Sequence, residues 1–155
     1  SRLTVEPVKD KKEMSTTNLS STTTTISDGK DGLVVVNNYT SKRGGTSLDV
    51  AGFAPLNIRA GHVIIKETAT GNFKPMPVFN DPDSGFQYGP LPAGHTYAGH
   101  AVNTVLTAKA MVGVMYHGEI NDLVIDAANG IYDLASIKTA LKAALPQMMY
   151  TGDNV

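Results

Sequence analysis

The chain has 155 residues, of which 41% are hydrophobic and only 17% charged. That length predicts one domain with room for an appended arm, and the low charge, balanced by Thr, Gly and Asn, is the composition of a β-rich, loop-rich protein. A net charge of −1 gives no overall pull toward nucleic acid or anionic membrane, and zero Cys excludes disulfides, thiolate metal sites and Cys nucleophiles.

The chain opens Ser1-Arg2 without Met, as after loss of an initiator Met or trimming of a precursor. Lys9, Lys11 and Lys12 then mix with Asp10 and Glu13 in a segment that reads as a solvated terminus or a contact arm. Residues 15–28 are nearly all Ser and Thr. Such a tract buries too little apolar surface to offset its ordering entropy alone, so it gains order only against its own domain or a partner chain. Thr favours extended backbone, so the tract is expected to be strand-like and paired through its backbone. Residues 1–32 are therefore read as an arm and 33–155 as a β-rich domain.

Asp28-Gly29 and Asp31-Gly32 signal turns, and their spacing does not fit an EF-hand. Leu33 to Val36 reads as a buried strand that Asn37-Asn38-Tyr39 leaves. Ser41 to Thr46 is a basic, Gly-rich loop without the order of a phosphate-binding P-loop. Leu48-Asp49-Val50 alternates as a strand. Phe53 to Ile58 turns into the stretch that organises the chain, Ala60 to Val78. There His62 to Ile65 is a β-branched run, Thr68 to Asn72 a turn with Gly71 and Asn72 suited to positive φ, and Phe73 to Val78 a partner strand. Pro75 and Pro77 remove backbone donors and place that partner at a sheet edge.

Residues 79–100 are dense in Gly and Pro and are expected to form a long surface connection. Tyr97 to Thr107 and Ala110 to Tyr116 read as strands, with Gly113 marking a bulge or close approach. His117-Gly118-Glu119 reads as a turn and Ile120 to Ile125 as a further strand. A helix over Leu134 to Leu145 is expected next, capped by Asp133 or Ser136 and stopped by Pro146. Leu134, Ile137, Leu141 and Leu145 make its apolar stripe, with Lys138 and Lys142 on another face.

The candidates for metal or base chemistry are His62, His95, His100 and His117. None stands at a diagnostic spacing from a second ligand, so each is expected to be neutral and satisfied, although three copies of one His on a trimer axis would make a metal site. A G-x-S-x-G elbow is absent from the sequence, and turns account for Asp81 and Asp83 better than an acid–base pair with Glu119 does. The methionines, Met111, Met115, Met148 and Met149 among them, suit gap filling in cores or subunit contacts.

The run Gly61 to Pro77 resembles the trimeric head decoration proteins of tailed bacteriophages: Thr70-Gly71-Asn72-Phe73-Lys74-Pro75 is similar to their T-G-K-Y-x-P hairpin. Ala110 to Met115, His117 to Ile120 and the helix ending at Leu145-Pro146 resemble later elements of that family. Val34 to Gly45, with Gly61 to Lys66, resembles head fibre proteins of phages infecting gut Bacteroides, the crAss-like group included. The likeness covers residues 33–147.

What it implies is a non-enzymatic virion protein without cofactor: a homotrimer made in the host cytoplasm and seated on the capsid surface, bound to the major capsid protein. Its mainly β domain, a small barrel or sandwich with one C-terminal helix, would hold the shell through its arm, with Thr22, Thr23, Thr24, Thr25 and Ile26 as the contact residues. The longer arm and the 79–100 segment depart from the compact members, leaving open a cementing protein or a base for a fibre. A second reading is a carbohydrate- or host-surface-binding module using Phe86, Tyr88, His95 and Tyr97. A third is a metal-assisted hydrolase using the histidines.

Overall fold

The computed structural model describes residues 31–42, 45–83 and 85–154. The sites assigned to Thr22, Thr23, Thr24, Thr25 and Ile26 lie outside the described residues. A helical turn α1 (Asp31–Val34) leads into β1 (Val35–Ser41), followed by β2 (Thr46–Ser47), β3 (Asn57–Ile58), β4 (Val63–Glu67) and β5 (Phe73–Pro75). Then come β6 (Val78–Asp81), β7 (Gly85–Tyr88), β8 (His95–Ala101), β9 (Val105–Leu106), β10 (Met111–Val112) and β11 (Val114–Ile120). The helix α2 (Lys138–Ala144) and β12 (Met148–Tyr150) close the fold. The protein is mainly β with one main helix near its C-terminus, as the composition and patterning predict.

The main sheet runs β1-β11-β8-β4-β5 with antiparallel neighbours, and β12 joins β11 in parallel. Among the described residues its named strands end at β1 and β5, and beyond β5 Leu48 bridges Phe73 while the Asp49 N–H donates to the Phe73 carbonyl at 2.8 Å, linking β5 to the segment after β2. Two-stranded ribbons β2–β10, β3–β9 and β6–β7 lie beside the main sheet. β4 sits near the middle because Val63, Ile64 and Ile65 are apolar on both faces, the pattern of a strand covered on both sides. Val63 and Ile65 enter the larger core with Leu134, Ile137, Leu141 and Leu145, so the predicted apolar residues do dock on the sheet, although only Leu141 lies within α2. Ile64 enters a second core with Leu48, Ile58, Ala101, Val112 and Val114 on the opposite face.

The organising hairpin forms as expected: Gly71 takes φ 75°, its N–H donates to the Glu67 carbonyl at 2.8 Å, and β5 is the sheet edge. Asn72 is not in the left-handed region, because Gly71 alone supplies the reversal.

Several local expectations are corrected. Residues 79–100 are not a connection: they hold the β6–β7 hairpin and most of β8, a strand inside the main sheet. Their Gly and Pro residues punctuate short strands, with the Asp81 carboxylate accepting the Asp83 N–H at 2.8 Å in the hairpin turn. His117-Gly118-Glu119 is not a turn but the middle of β11, where Gly118 admits the Asn37 carbonyl of β1. The expected strand over Ile120 to Ile125 ends at Ile120, and the Asn121 side chain accepts the Leu123 N–H in the turn that follows.

Leu33 to Val36 is not one buried strand. α1 ends at buried Val34, and β1 carries on through Asn37, Asn38 and Tyr39, because a short apolar run fixes neither element type nor register. α2 starts at Lys138 rather than Leu134: Asp133 accepts the Ala135 N–H in a separate turn, and Ile137 occupies the cap position without a side-chain cap. Gly113 lies between β10 and β11, where a Cβ would come within 3.2 Å of Val102, the close approach its place in an apolar run suggests.

Candidate functional site

The aromatic constellation expected in residues 79–100 is dispersed. Tyr88 and Tyr97 are core residues, and the Tyr88 hydroxyl accepts the Val63 N–H at 3.1 Å. Burial pushes both phenols up from their ordinary pKa. Phe86, on β7, stays half-buried between two hollows, one of them lined also by Leu56 and Tyr132 and the other by Ile125 and Ser136. His95 stands opposite Glu67 in the β4–β8 ladder and bonds to the Ala93 carbonyl at 2.9 Å. These four residues form no common surface, since Tyr88 and Tyr97 point into the larger core.

Two of the four histidines are structural. The His62 Nε2 lies 3.1 Å from the Met76 carbonyl, so it carries the proton, and the ring is edged by Phe53, Tyr88 and Tyr132. The His100 Nδ1 lies 3.0 Å from the Gly61 carbonyl and donates to it. Its Nε2 therefore accepts the Tyr150 hydroxyl at 2.9 Å. Burial drives each imidazole down to about 4, so both are neutral at physiological pH. Buried at 2% and 0% exposure, neither ring reaches the surface where copies of the chain could share a metal. His95 and His117 are the two nearer the surface, and His117 packs against Tyr39.

The acids are committed as well. Glu119 accepts the Thr151 hydroxyl at 2.7 Å, and Asp31 accepts the Thr104 hydroxyl at 2.7 Å. Lys138 bridges Asp122 and Asp153, both of which raise its pKa, and Lys142 also reaches Asp153. Among the described residues no group of three His, Asp or Glu side chains could hold a metal ion. The space beside His62 and Tyr132 is about 20 Å³, enough for one water and too small for a substrate.

Two features of the sheet remain open. The first is β1. Among the described residues it pairs only with β11, and Val36, Asn37, Asn38 and Tyr39 are all exposed. Its sequence, VVNNYTS, has no charge, Pro or Gly, the devices that normally guard a sheet edge. The opposite edge, β5, is three residues long and carries Lys74 and Pro75. The second is a groove of about 540 Å³ on the smaller core's face, lined by Thr40, Ser41, Lys42, Phe73, Ala98, Val114 and Tyr116.

No protein-family model, curated protein or solved structure matches the chain. Geometry and sequence therefore carry the functional reading. Among the described residues no helix is long and apolar enough to cross a membrane. The groove was missed by sequence reasoning because β1, β5, β8 and β11 bring together positions scattered from 40 to 116. No local motif marks it. The exposure of β1 left one trace, a β-branched run that continues into Asn-Asn-Tyr with neither Pro nor charge.

Proposed function

We propose that this is a structural assembly protein, not an enzyme: a homotrimer on the outer surface of a phage capsid, bound to the major capsid protein through residues 1–28. The observation that carries the assembly reading is β1. Seven residues of uncharged edge strand offer backbone donors and acceptors to a second chain. Beside that edge, Val36 and Tyr39 add exposed apolar surface at 44% and 59% exposure. The engagement of His62 and His100 inside the core supports a body without chemistry of its own. The virion assignment rests on the resemblance in residues 33–147, and three arms on one body would hold a shell by avidity.

Light scattering of the purified protein should give three times the chain mass. Asn38→Lys, alone and with Val36→Lys, should shift it to monomer by placing solvated charge on the edge. A trimer unchanged by the double variant overturns the role of β1. Removing residues 1–28 should abolish binding to undecorated capsid shells, whereas undiminished binding rejects the arm as the grip.

A carbohydrate- or host-surface-binding role is the second reading. It is favoured by the groove under Tyr116 rather than by residues 79–100.

A further inference from the structure

The groove has three properties of a ligand site. Its floor is rigid: Ala98 and Val114 belong to β8 and β11, adjacent strands of the main sheet, and Val114 is part of the smaller core. Its walls carry two rings, with Phe73 half-buried and Tyr116 exposed by 41%. Its rim carries the hydroxyls of Thr40 and Ser41 and the ammonium of Lys42. The volume of about 540 Å³ lies within the range of small-molecule sites, and an apolar floor with a few polar groups is their usual make-up.

The charge at the site is one-sided. The Lys42 and Lys66 ammonium groups converge on the Phe73 ring, at 5.5 Å and 5.7 Å from its centroid. Among the described residues neither has an ion-pair partner. The acids on neighbouring segments are engaged elsewhere: Glu67 pairs with Lys74 at 2.7 Å, and Asp49 accepts the Ala51 N–H at 3.1 Å. Two cations near one ring, neither ion-paired among the described residues, make this side of the groove attractive to a carboxylate.

We propose that this groove binds a glycan segment bearing carboxylated sugars, with a hexuronate as the recognised residue. The Tyr116 ring supports the apolar C–H face of the sugar. Thr40 and Ser41 meet its hydroxyls, and Lys42 with Lys66 holds the carboxylate. The open shape suits an internal segment of a long polysaccharide, which enters and leaves along the sheet. The proposal is independent of the virion reading: loss of glycan binding would leave oligomeric mass and shell binding untouched, and the converse also holds.

The test is calorimetry of the full chain with oligogalacturonate, against maltohexaose, dextran sulfate and poly-glutamate. Oligogalacturonate should bind, weakening as salt rises, and maltohexaose should not. The double variant Lys42→Ala/Lys66→Ala should weaken binding by more than about tenfold, and Tyr116→Ala by about tenfold, a loss of roughly 1.4 kcal/mol. All three positions are solvent-facing, so the fold should persist, and Lys42→Arg/Lys66→Arg should retain affinity. Equal affinity for maltohexaose overturns the carboxylate. Equal affinity for dextran sulfate or poly-glutamate, or binding unaffected by Tyr116→Ala, reduces the site to a charge patch and overturns the glycan.

Discussion

Gly99→Ala should destabilise the protein by at least about 3 kcal/mol, the upper range for overpacking a core. A Cβ at this position would sit 2.3 Å from the Met115 carbonyl oxygen and 2.9 Å from a Val114 methyl. The obstructing oxygen is backbone, so no rotamer change relieves the contact. β8 and β11 would have to move apart where Met115 stands opposite His100. Gly118→Ala should behave alike, because its Cβ would meet the Asn37 carbonyl oxygen at 2.3 Å and lift β1 from β11. Gly94→Ala is the control. Gly94 has φ 76° with nothing within 4 Å of a built Cβ, so only the conformational cost of roughly 1–2 kcal/mol applies. Urea unfolding of the three variants checks the ranking. Gly99→Ala within 1 kcal/mol of the parent would mean that the sheet is not packed this closely.

The second large effect is acid sensitivity. His62 and His100 both fall from an ordinary value of 6.5 to about 4, chiefly through desolvation, and in His62 the neighbouring His100 adds to the shift. Between these values the unfolded chain binds protons that the folded chain refuses, so stability rises with pH across the window. The contribution is complete above 6.5 and is progressively lost as pH falls toward 4. A shift of this size is worth on the order of 3 kcal/mol per imidazole at 1.36 kcal/mol per pKa unit, a large part of the stability of a domain this small.

The carboxylates of Glu67 and Asp153, lowered mainly by hydrogen bonds from Lys74 and Lys138, add a loss in the same direction at lower pH. Unfolding free energies measured every half unit from pH 8 to 4 should therefore decline steeply below 6.5. His62→Gln or His100→Gln should remove about half of the slope. A flat profile between pH 7 and 5 would show that the two rings are not desolvated in the folded state.

Particular residues show what was legible beforehand. The hairpin around Gly71, the edge position of Pro75 and the burial of Leu134, Ile137, Leu141 and Leu145 are written in short stretches, since each follows from steric limits or local periodicity. The neutrality of His62 and His100 was legible too, as residues with no partner at metal-binding spacing. Less legible were segments whose state depends on distant strands. Gly118 looks like a turn residue until the Asn37 carbonyl occupies the space beside it, and the Gly/Pro run of 79–100 looks like a loop until β8 takes its place between β4 and β11.

The same division holds for function. Composition, charge and the absence of Cys determined the class of molecule: mainly β, without thiolate chemistry and without a charge bias toward nucleic acid. Only the tertiary structure decided which groups reach solvent. Pairing sends Tyr88 and Tyr97 into the core while Tyr116 stays outside, and it brings both Lys42 and Lys66 to the Phe73 ring. The reason is physical: side-chain direction in a strand alternates with a period of two, so register and strand order assign each residue to core or surface, and both are set by partners far away in the chain.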